Sequence, residues 1–233
     1  MAPRLVLWDV DGTLLRSSRL TRDVFDVAVQ KALGRPPGGH GVVMSGKTDP
    51  RIALEILAVA GVTGEEARGH LPRVIQCLEE ELAAAADTVR RDGKILPGVA
   101  EILPRLHAEP DVVQSVLTGN TAANAAVKLD AVGLDRWLDL EVGAYGSDDA
   151  DREALVPVAR RRAREHHGRD FSAEEVWVVG DTPGDLACAR AGGTRCLLVG
   201  TGAFPLEQLE AAGPDHLLAD LSDADAVCEL LLS

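Results

Sequence analysis

The chain has 233 residues, of which 46% are apolar, and 37 acidic against 24 basic residues leave a formal net charge of −13. This length suits one large domain or a domain that carries a smaller insert. The negative charge disfavours binding to nucleic acid or to an anionic membrane, and it slightly favours a monomer. No apolar stretch approaches the ~20 residues that cross a bilayer, and acidic residues come too early for a signal peptide. We therefore expect a cytoplasmic protein with no nucleic-acid or membrane partner.

Short apolar runs rich in β-branched residues predict six strands. Most of these runs are apolar throughout, which is typical of strands covered on both faces. From residue 99 onward they alternate with segments of helical spacing, and this alternation predicts an α/β fold, a Rossmann-like parallel sheet with helices on both sides. The predicted strands are 4–10, 111–118, 138–145, 175–181, 194–202 and 215–221, and the predicted helices are 99–107, 121–134, 152–167, 183–193 and 222–232.

One long interval interrupts this alternation. Residues 16–92 contain no convincing strand, and they are far more than the dozen or so that a crossover between parallel strands needs. We therefore predict an all-helical domain at 16–92, inserted into a core of residues 1–15 and 93–233. Its three helical patterns lie at 20–34, 49–61 and 65–91.

The middle helix of the insert has clear end signals. Asp49 fits the N-cap, Pro50 the first helical position and Gly61 the C-terminal stop. The hinges of the insert are expected at 15–18 and 91–98, the second of which contains two glycines and a proline.

Polar motifs follow three of the predicted strands where each strand ends. They read DVDGT at 9–13, LTGN at 117–120 and GDTPGD at 180–185. In an open parallel sheet, ligands bind outside the carboxyl ends of the strands, near the point where the strand order reverses. The glycine in each motif lets backbone N–H groups approach an anion closely. We therefore expect the three motifs to form one site.

Up to four carboxylates would meet in that site, and a cation must accompany them. Two like charges about 4 Å apart repel by about 4 kcal/mol even at an effective dielectric constant of about 20. Oxygen ligands without a nearby histidine or cysteine favour Mg²⁺ over zinc. One aspartate of the first motif can then attack phosphorus, while its neighbour gives a proton to the leaving oxygen and later takes one from water.

The three motifs resemble the first, second and fourth motifs of the haloacid dehalogenase-like superfamily, which consists chiefly of Mg²⁺-dependent phosphatases. The resemblance extends over the whole chain, whose overall pattern is similar to phosphoglycolate phosphatases. The insert is similar to the superfamily's small helical cap. The resemblance implies that Asp9 is the nucleophile, Asp11 the acid and base, and Thr118, with Gly119, part of the phosphate site. The implied metal ligands are Asp9, the backbone carbonyl of Asp11, Asp181 and Asp185.

Each motif residue also has a purely structural explanation. Asp-Gly is a common turn pair, which fits Asp11 and its neighbour. Thr118 could cap the helix that follows it. Asp181 and Asp185 could simply favour the start of the next helix, where acids are stabilised by the helix dipole.

The basic phosphate ligand departs from the superfamily pattern. Relatives usually have a lysine just before the fourth-motif strand, at the beginning of a helix, whereas this region reads GSDDADREALVP. Arg152 is its nearest cation, and a guanidinium offers a rigid fork for phosphate. Lys128 is the competitor, but a lysine two turns into a helix is more often solvated. We favour Arg152.

A glycine-containing segment of the insert, SGKTD at 45–49, is a further candidate. It is similar to the cap loop that reaches the active site in β-phosphoglucomutase and related phosphatases. Gly46, Lys47 and Thr48 could therefore contact the non-phosphate end of a substrate, or they could form an ordinary loop before a helix.

These features predict a phosphatase that hydrolyses a small phosphomonoester, such as phosphoglycolate or a sugar phosphate, through an aspartyl-phosphate. A phosphomutase of the β-phosphoglucomutase type would use the same core. A haloacid dehalogenase would not need Asp11, and a non-catalytic binding protein normally lacks one of the motif carboxylates, all of which are present here.

Overall fold

The computed structural model of the protein describes residues 3–17 and 20–233, so Ser18 of the predicted first hinge lies outside the described residues. The strands are β1 (Arg4–Trp8), β2 (Leu15–Arg16), β3 (Lys94–Ile95), β4 (Val112–Thr118), β5 (Ala144–Tyr145), β6 (Val176–Gly180), β7 (Arg195–Val199) and β8 (His216–Leu218). Six of them form a parallel sheet in the order β5-β4-β1-β6-β7-β8, and β2 pairs with β3 in a small antiparallel ribbon. The predicted parallel α/β fold is confirmed.

Helices cover both faces of the sheet. They are α1 (Leu20–Leu33), α2 (Asp49–Val59), α3 (Gly64–Ala84), α4 (Ala86–Asp92), α5 (Val99–His107), α6 (Ala122–Val132), α7 (Leu155–His167), α8 (Pro183–Gly192), α9 (Leu206–Ala212) and α10 (Ala224–Leu232). Alternate side chains of β1 enter two separate cores, because successive residues of a strand point to opposite faces. Val6 and Trp8 pack with α5, α6 and α10, and Leu5 and Leu7 with α7, α8 and α9. No helix in the described ranges is both long and apolar enough to cross a membrane.

Several elements differ from the sequence-based expectation, among them the ribbon strands β2 and β3, which were not predicted. The strand predicted at 138–145 is reduced to β5. The residues before β5 make isolated hydrogen bonds to β4 instead of a regular ladder: the Asp139 N–H donates to the Gln114 carbonyl (2.8 Å), and the Ser115 hydroxyl donates to the Asp139 carbonyl. The helix predicted at 65–91 divides at Ala85 into α3 and α4. The short helix α9 was not predicted.

Helices α1 to α4 form a helical module, residues 20–92, between β2 and β3. Its core is separate from the two cores of the sheet, and includes Phe25, Ile56 and Leu78 from three different helices. The N-cap of α2 is Thr48 rather than Asp49, since the Thr48 side chain accepts a hydrogen bond from the Arg51 N–H (3.3 Å). The Asp49 carboxylate is thereby free to bind elsewhere.

Gly98, in the predicted second hinge, should be intolerant of a side chain. Its φ of +80° is left-handed, and an added Cβ would lie 1.6 Å from the Leu221 carbonyl oxygen. Gly168, at the end of α7, has a φ of +64° with open space around it. We expect Gly168→Ala to lower the free energy of unfolding by about 1–2 kcal/mol, and Gly98→Ala to lower it by about 3 kcal/mol or more. Urea unfolding of both variants checks this difference; equal losses would contradict it.

Candidate active site

The carboxyl ends of β4, β1 and β6 lie side by side, because β1 pairs with β4 on one edge and with β6 on the other. The strand order reverses at β1, and ligand-binding crevices form at such points. A cavity of about 780 Å³ lies there, between the sheet and the helical module. Its lining includes Asp9, Asp11, Arg16, Ser17, Asp23, Met44, Gly46, Lys47, Asp49, Ile52, Thr118, Gly119, Asn120, Lys128, Arg152, Asp181, Thr182 and Thr201.

The first motif is a tight loop that follows β1. The Asp9 N–H donates to the Val179 carbonyl of β6 (2.8 Å), which continues the sheet pairing by one residue. The N–H groups of Leu14 and Leu15 both donate to the Val10 carbonyl (3.0 Å each), which closes the loop. Asp9 is 4% exposed, so its carboxylate is held inside the protein at the bottom of the cavity.

The fourth motif, GDTPGD, begins α8 and points two carboxyl groups towards Asp9. The Thr182 N–H and hydroxyl both donate to Asp185 Oδ2 (3.0 and 2.7 Å), so Asp185 belongs to the helix cap as well as to the cluster. Asp185 can therefore stabilise the start of α8 and belong to the site at the same time. Gly202 approaches Asp181 so closely that a Cβ there would lie 1.6 Å from Asp181 Oδ2.

Asp9, Asp181 and Asp185 form an acidic triad, whose buried carboxylates each offer an oxygen within 4.8 Å of the other two. Hard oxygen ligands in such a group fit a divalent cation. Burial raises the pKa of Asp9 to about 6, against the opposing charge of Arg152. Burial together with the charges of Asp9 and Asp185 raises the pKa of Asp181 to about 9. Without a cation, Asp181 therefore retains its proton at neutral pH.

Arg152 lies against this triad, on a 3₁₀ turn that precedes α7. Its guanidinium donates to Asp185 Oδ1 and lies 3.0 Å from Asp9 Oδ1. The side chain is 8% exposed, and its Nε has no hydrogen-bond partner within the described ranges. The residue favoured from sequence is therefore in the site.

The second motif supplies Thr118, Gly119 and Asn120 from the end of β4. Thr118 is fully buried, and its hydroxyl oxygen accepts hydrogen bonds from the Asn120 N–H (3.3 Å) and side-chain amide (2.8 Å). The hydroxyl hydrogen is therefore available to an acceptor in the cavity. A Cβ at Gly119 would lie 2.0 Å from the Lys47 carbonyl oxygen, so glycine is required where the helical module meets β4.

Lys128, the other candidate, is 4% exposed and enters the site from α6. Its ammonium donates to Asp11 Oδ2 (2.5 Å) and to Asn120 Oδ1 (2.6 Å). Burial opposes ionisation of Asp11, but the Lys128 charge and hydrogen bond outweigh it, and the pKa of Asp11 is lowered. The expectation that a lysine at this place is solvated does not hold, because the ammonium is buried against Asp11 and Asn120.

The loop of the helical module contacts the core at several points. Gly46 and Lys47 line the cavity, and the Lys47 ammonium donates to Glu55 Oε2 (2.6 Å). Thr48 faces the core instead, where its hydroxyl donates to the Ala150 carbonyl (2.7 Å). Asp49, which the sequence suggested only as a cap, lines the cavity too.

Asp49 joins the helical module to α6 of the core. Its Oδ2 accepts hydrogen bonds from the Thr121 N–H (2.9 Å) and the Asn124 amide (3.0 Å), and its own N–H donates to the Gly119 carbonyl (2.7 Å). Sequence reasoning missed this role, and it also missed Asn120. The polar residues TGNTAAN that follow β4 were the available signal.

The chain is similar to several known proteins. Phosphoglycolate phosphatase 1 of Pseudomonas aeruginosa is 26% identical over 234 residues, covering 99% of this chain and 83% of that protein. A protein of Caldanaerobacter subterraneus subsp. tengcongensis, provisionally named a pyrophosphatase, is 26% identical over 216 residues, covering 93% of this chain and 90% of that protein. The fold is similar to the crystal structure of a hydrolase from Pseudomonas syringae, with a TM-score of 0.69 and 20% identity over 99% of this chain and 100% of that one.

The family comparison covers most of the chain. Residues 6–190 match the family described as haloacid dehalogenase-like hydrolase, and this span includes all three strand-end motifs. The protein therefore belongs to the haloacid dehalogenase-like hydrolases.

Proposed function

We propose that this hydrolase is a Mg²⁺-dependent phosphatase that cleaves a small phosphomonoester through a phosphoryl group on Asp9. The observation that carries the proposal is the convergence of the acidic triad, Asp11 and two buried cations on one cavity at the ends of β1, β4 and β6. Opposite charges in this arrangement suit a dianionic phosphate and the metal that accompanies it.

The acidic triad would hold the metal, together with the Asp11 backbone carbonyl that the resemblance implies. Once bound, Mg²⁺ would neutralise charge on the phosphate and on the attacking carboxylate. Arg152 would support the same end of the substrate, because its guanidinium lies against Asp9 and Asp185 in the lining of the cavity, and a guanidinium fork suits a phosphate. Thr118, through its free hydroxyl hydrogen, and Gly119 would bind further phosphate oxygens.

Two displacements account for hydrolysis. In the first, an Asp9 oxygen attacks phosphorus, the bond to the leaving oxygen breaks, and Asp11 gives that oxygen a proton. In the second, Asp11 takes a proton from water as the water attacks phosphorus, which releases phosphate and restores the Asp9 carboxylate. The absence of Asp11 would characterise a dehalogenase, whose substrate needs no such proton.

In the domain division that we propose, residues 16–92, which contain the helical module, would act as a cap on a core of residues 1–15 and 93–233. Contacts of Thr48 and Asp49 hold it against the core, with a cavity of about 780 Å³ between them. A cavity of this size admits a small molecule, and closure of the cap over it would exclude bulk water. Gly46 and Lys47 would contact the non-phosphate end of the substrate, whereas Thr48 would position the loop.

Phosphate release is the first test, over a panel that includes phosphoglycolate, sugar phosphates and pyrophosphate, with Mg²⁺ or with EDTA. The two relatives are named for phosphoglycolate and pyrophosphate hydrolysis, so both belong in the panel. We expect Mg²⁺-dependent phosphate release without a sugar bisphosphate. Turnover that requires a bisphosphate and releases little phosphate would instead indicate a phosphomutase, and chloride release from a haloacid would indicate a dehalogenase.

Asp9→Asn should lower phosphate release at least about 1000-fold, because the neutral amide cannot attack phosphorus to form the aspartyl-phosphate. Acid-quenched wild-type protein should carry one phosphoryl group on the peptide that contains Asp9. Asp130→Asn, at an exposed aspartate of α6, is the control and should keep full turnover. Wild-type turnover in Asp9→Asn would refute the nucleophile assignment.

Stabilisation by Mg²⁺ should grow with pH. In the metal-free protein, raised pKa values of about 6 for Asp9 and about 9 for Asp181 mean that the folded state binds more protons than the unfolded chain. The stability that these two groups contribute is full below about pH 4 and is lost as the pH rises through about 6 and then about 9. Mg²⁺ binds the ionised carboxylates, so its increase in Tm should be small near about pH 5 and larger near about pH 8. Equal increases at both pH values, or an unchanged increase in Asp181→Asn, would contradict this metal site.

A further inference from the structure

The charge of Lys128 takes no part in the two proposed displacements. Its side chain lies on the inner face of α6, beside the apolar Ala125 and Leu129, and is 4% exposed. A buried ammonium is costly unless charged or polar partners compensate it. Its partners here are the Asp11 carboxylate and the Asn120 side chain, at 2.5 and 2.6 Å. An apolar residue would pack here at a lower cost, so the lysine needs an explanation other than packing.

The two buried cations face different carboxylates. Arg152 contacts Asp9 and Asp185, on the nucleophile side of the cavity. Lys128 contacts neither of them, and its ion pair is with Asp11. The cation beside the proposed nucleophile is therefore Arg152, whereas Lys128 is paired with the proposed acid and base.

Both oxygens of the Asp11 carboxylate accept hydrogen bonds. Oδ2 accepts hydrogen bonds from the Lys128 ammonium and from the Asn120 amide (2.9 Å), and Oδ1 accepts one from the Ser17 hydroxyl (2.6 Å). A carboxylate oxygen has two lone pairs in the carboxylate plane. Oδ2 is therefore saturated, and Oδ1 is the oxygen that retains a lone pair for a transferred proton.

We propose that Lys128 is a positioning residue that holds the Asp11 carboxylate with Oδ1 directed at the leaving oxygen, and that it is not a phosphate ligand. This inference rests on the proposed phosphatase function. Lys128 itself neither gives nor takes a proton: in the first displacement the proton passes from Asp11 to the leaving oxygen, and in the second it passes from water to Asp11. Asn120 supports the same orientation, because its carbonyl oxygen binds Lys128 while its amide nitrogen binds Asp11.

A double-mutant cycle tests the coupling between Lys128 and Asp11. We expect Lys128→Met to lower kcat by about 10- to 100-fold with little change in KM. This loss is a part of the rate acceleration that a positioned general acid and base contributes. In an Asp11→Asn background the same substitution should cost less than about 3-fold, because the group that it positions is gone. Multiplicative losses in the double variant would overturn the proposal. Lys31→Met, at an exposed lysine paired with Glu81, is the matched control.

Inhibition by inorganic phosphate separates positioning from phosphate binding. The inhibition constant should change less than about 3-fold in Lys128→Met, whereas Arg152→Met should weaken inhibition about 10-fold or more. A 10-fold weakening in Lys128→Met would make Lys128 a phosphate ligand and refute the inference. If Lys128→Met does not fold, the inhibition constant and the cycle are measured on Lys128→Gln, which removes the charge but keeps a polar group, and the same criteria apply.

The leaving group supplies a third readout. A protonating group matters most for an alkoxide and least for p-nitrophenolate, which leaves without a proton. The loss of kcat/KM in Lys128→Met should therefore be at least about 10-fold greater for an alkyl phosphate than for p-nitrophenyl phosphate, and equal losses would contradict the assignment. If the wild-type protein releases no phosphate from any substrate, the proposed function fails. If the wild-type protein is active but Lys128→Met loses kcat/KM equally for both substrates, only the role of Lys128 is refuted.

Discussion

The site depends on holding four motif aspartates together at the end of a parallel sheet. Two like charges about 4 Å apart repel by about 4 kcal/mol at an effective dielectric constant of about 20, and a whole domain is stable by only about 5–15 kcal/mol. The chain supplies two buried cations, Arg152 and Lys128, which offset part of this repulsion. Protons or a divalent cation must offset the rest, and the raised pKa of Asp181 shows how strongly the metal-free cluster retains protons.

The two cations also divide the carboxylates into groups with different environments. Arg152 binds Asp9 and Asp185, and burial still raises the pKa of Asp9. Lys128 binds Asp11, and its charge lowers the pKa of that group. Two carboxylates only two residues apart thus acquire different properties, because each faces a different helix.

The helical module and the core share one structural element, α6. Its first turn donates to Asp49 of the module through the Thr121 N–H and the Asn124 amide, and its second turn carries Lys128. Docking of the module and placement of Asp11 therefore depend on the same helix. The close approach of the module at Gly119, where no side chain fits, brings the loop to the end of β4 and completes the wall of the cavity.

The amino-acid sequence by itself determined the parallel sheet, the helical interval and the three strand-end motifs, because apolar periodicity and turn residues are local signals. It could not determine which distant groups meet. Lys128 looks solvated from its place in a helix, Asp49 looks like an N-cap, and the run at 138–145 looks like a full strand. Only the tertiary structure placed Lys128 on Asp11, Asp49 on α6, and the residues before β5 in single bonds to β4. Burial and pairing of these groups arise from packing between segments far apart in the chain, and local pattern carries no information about that packing.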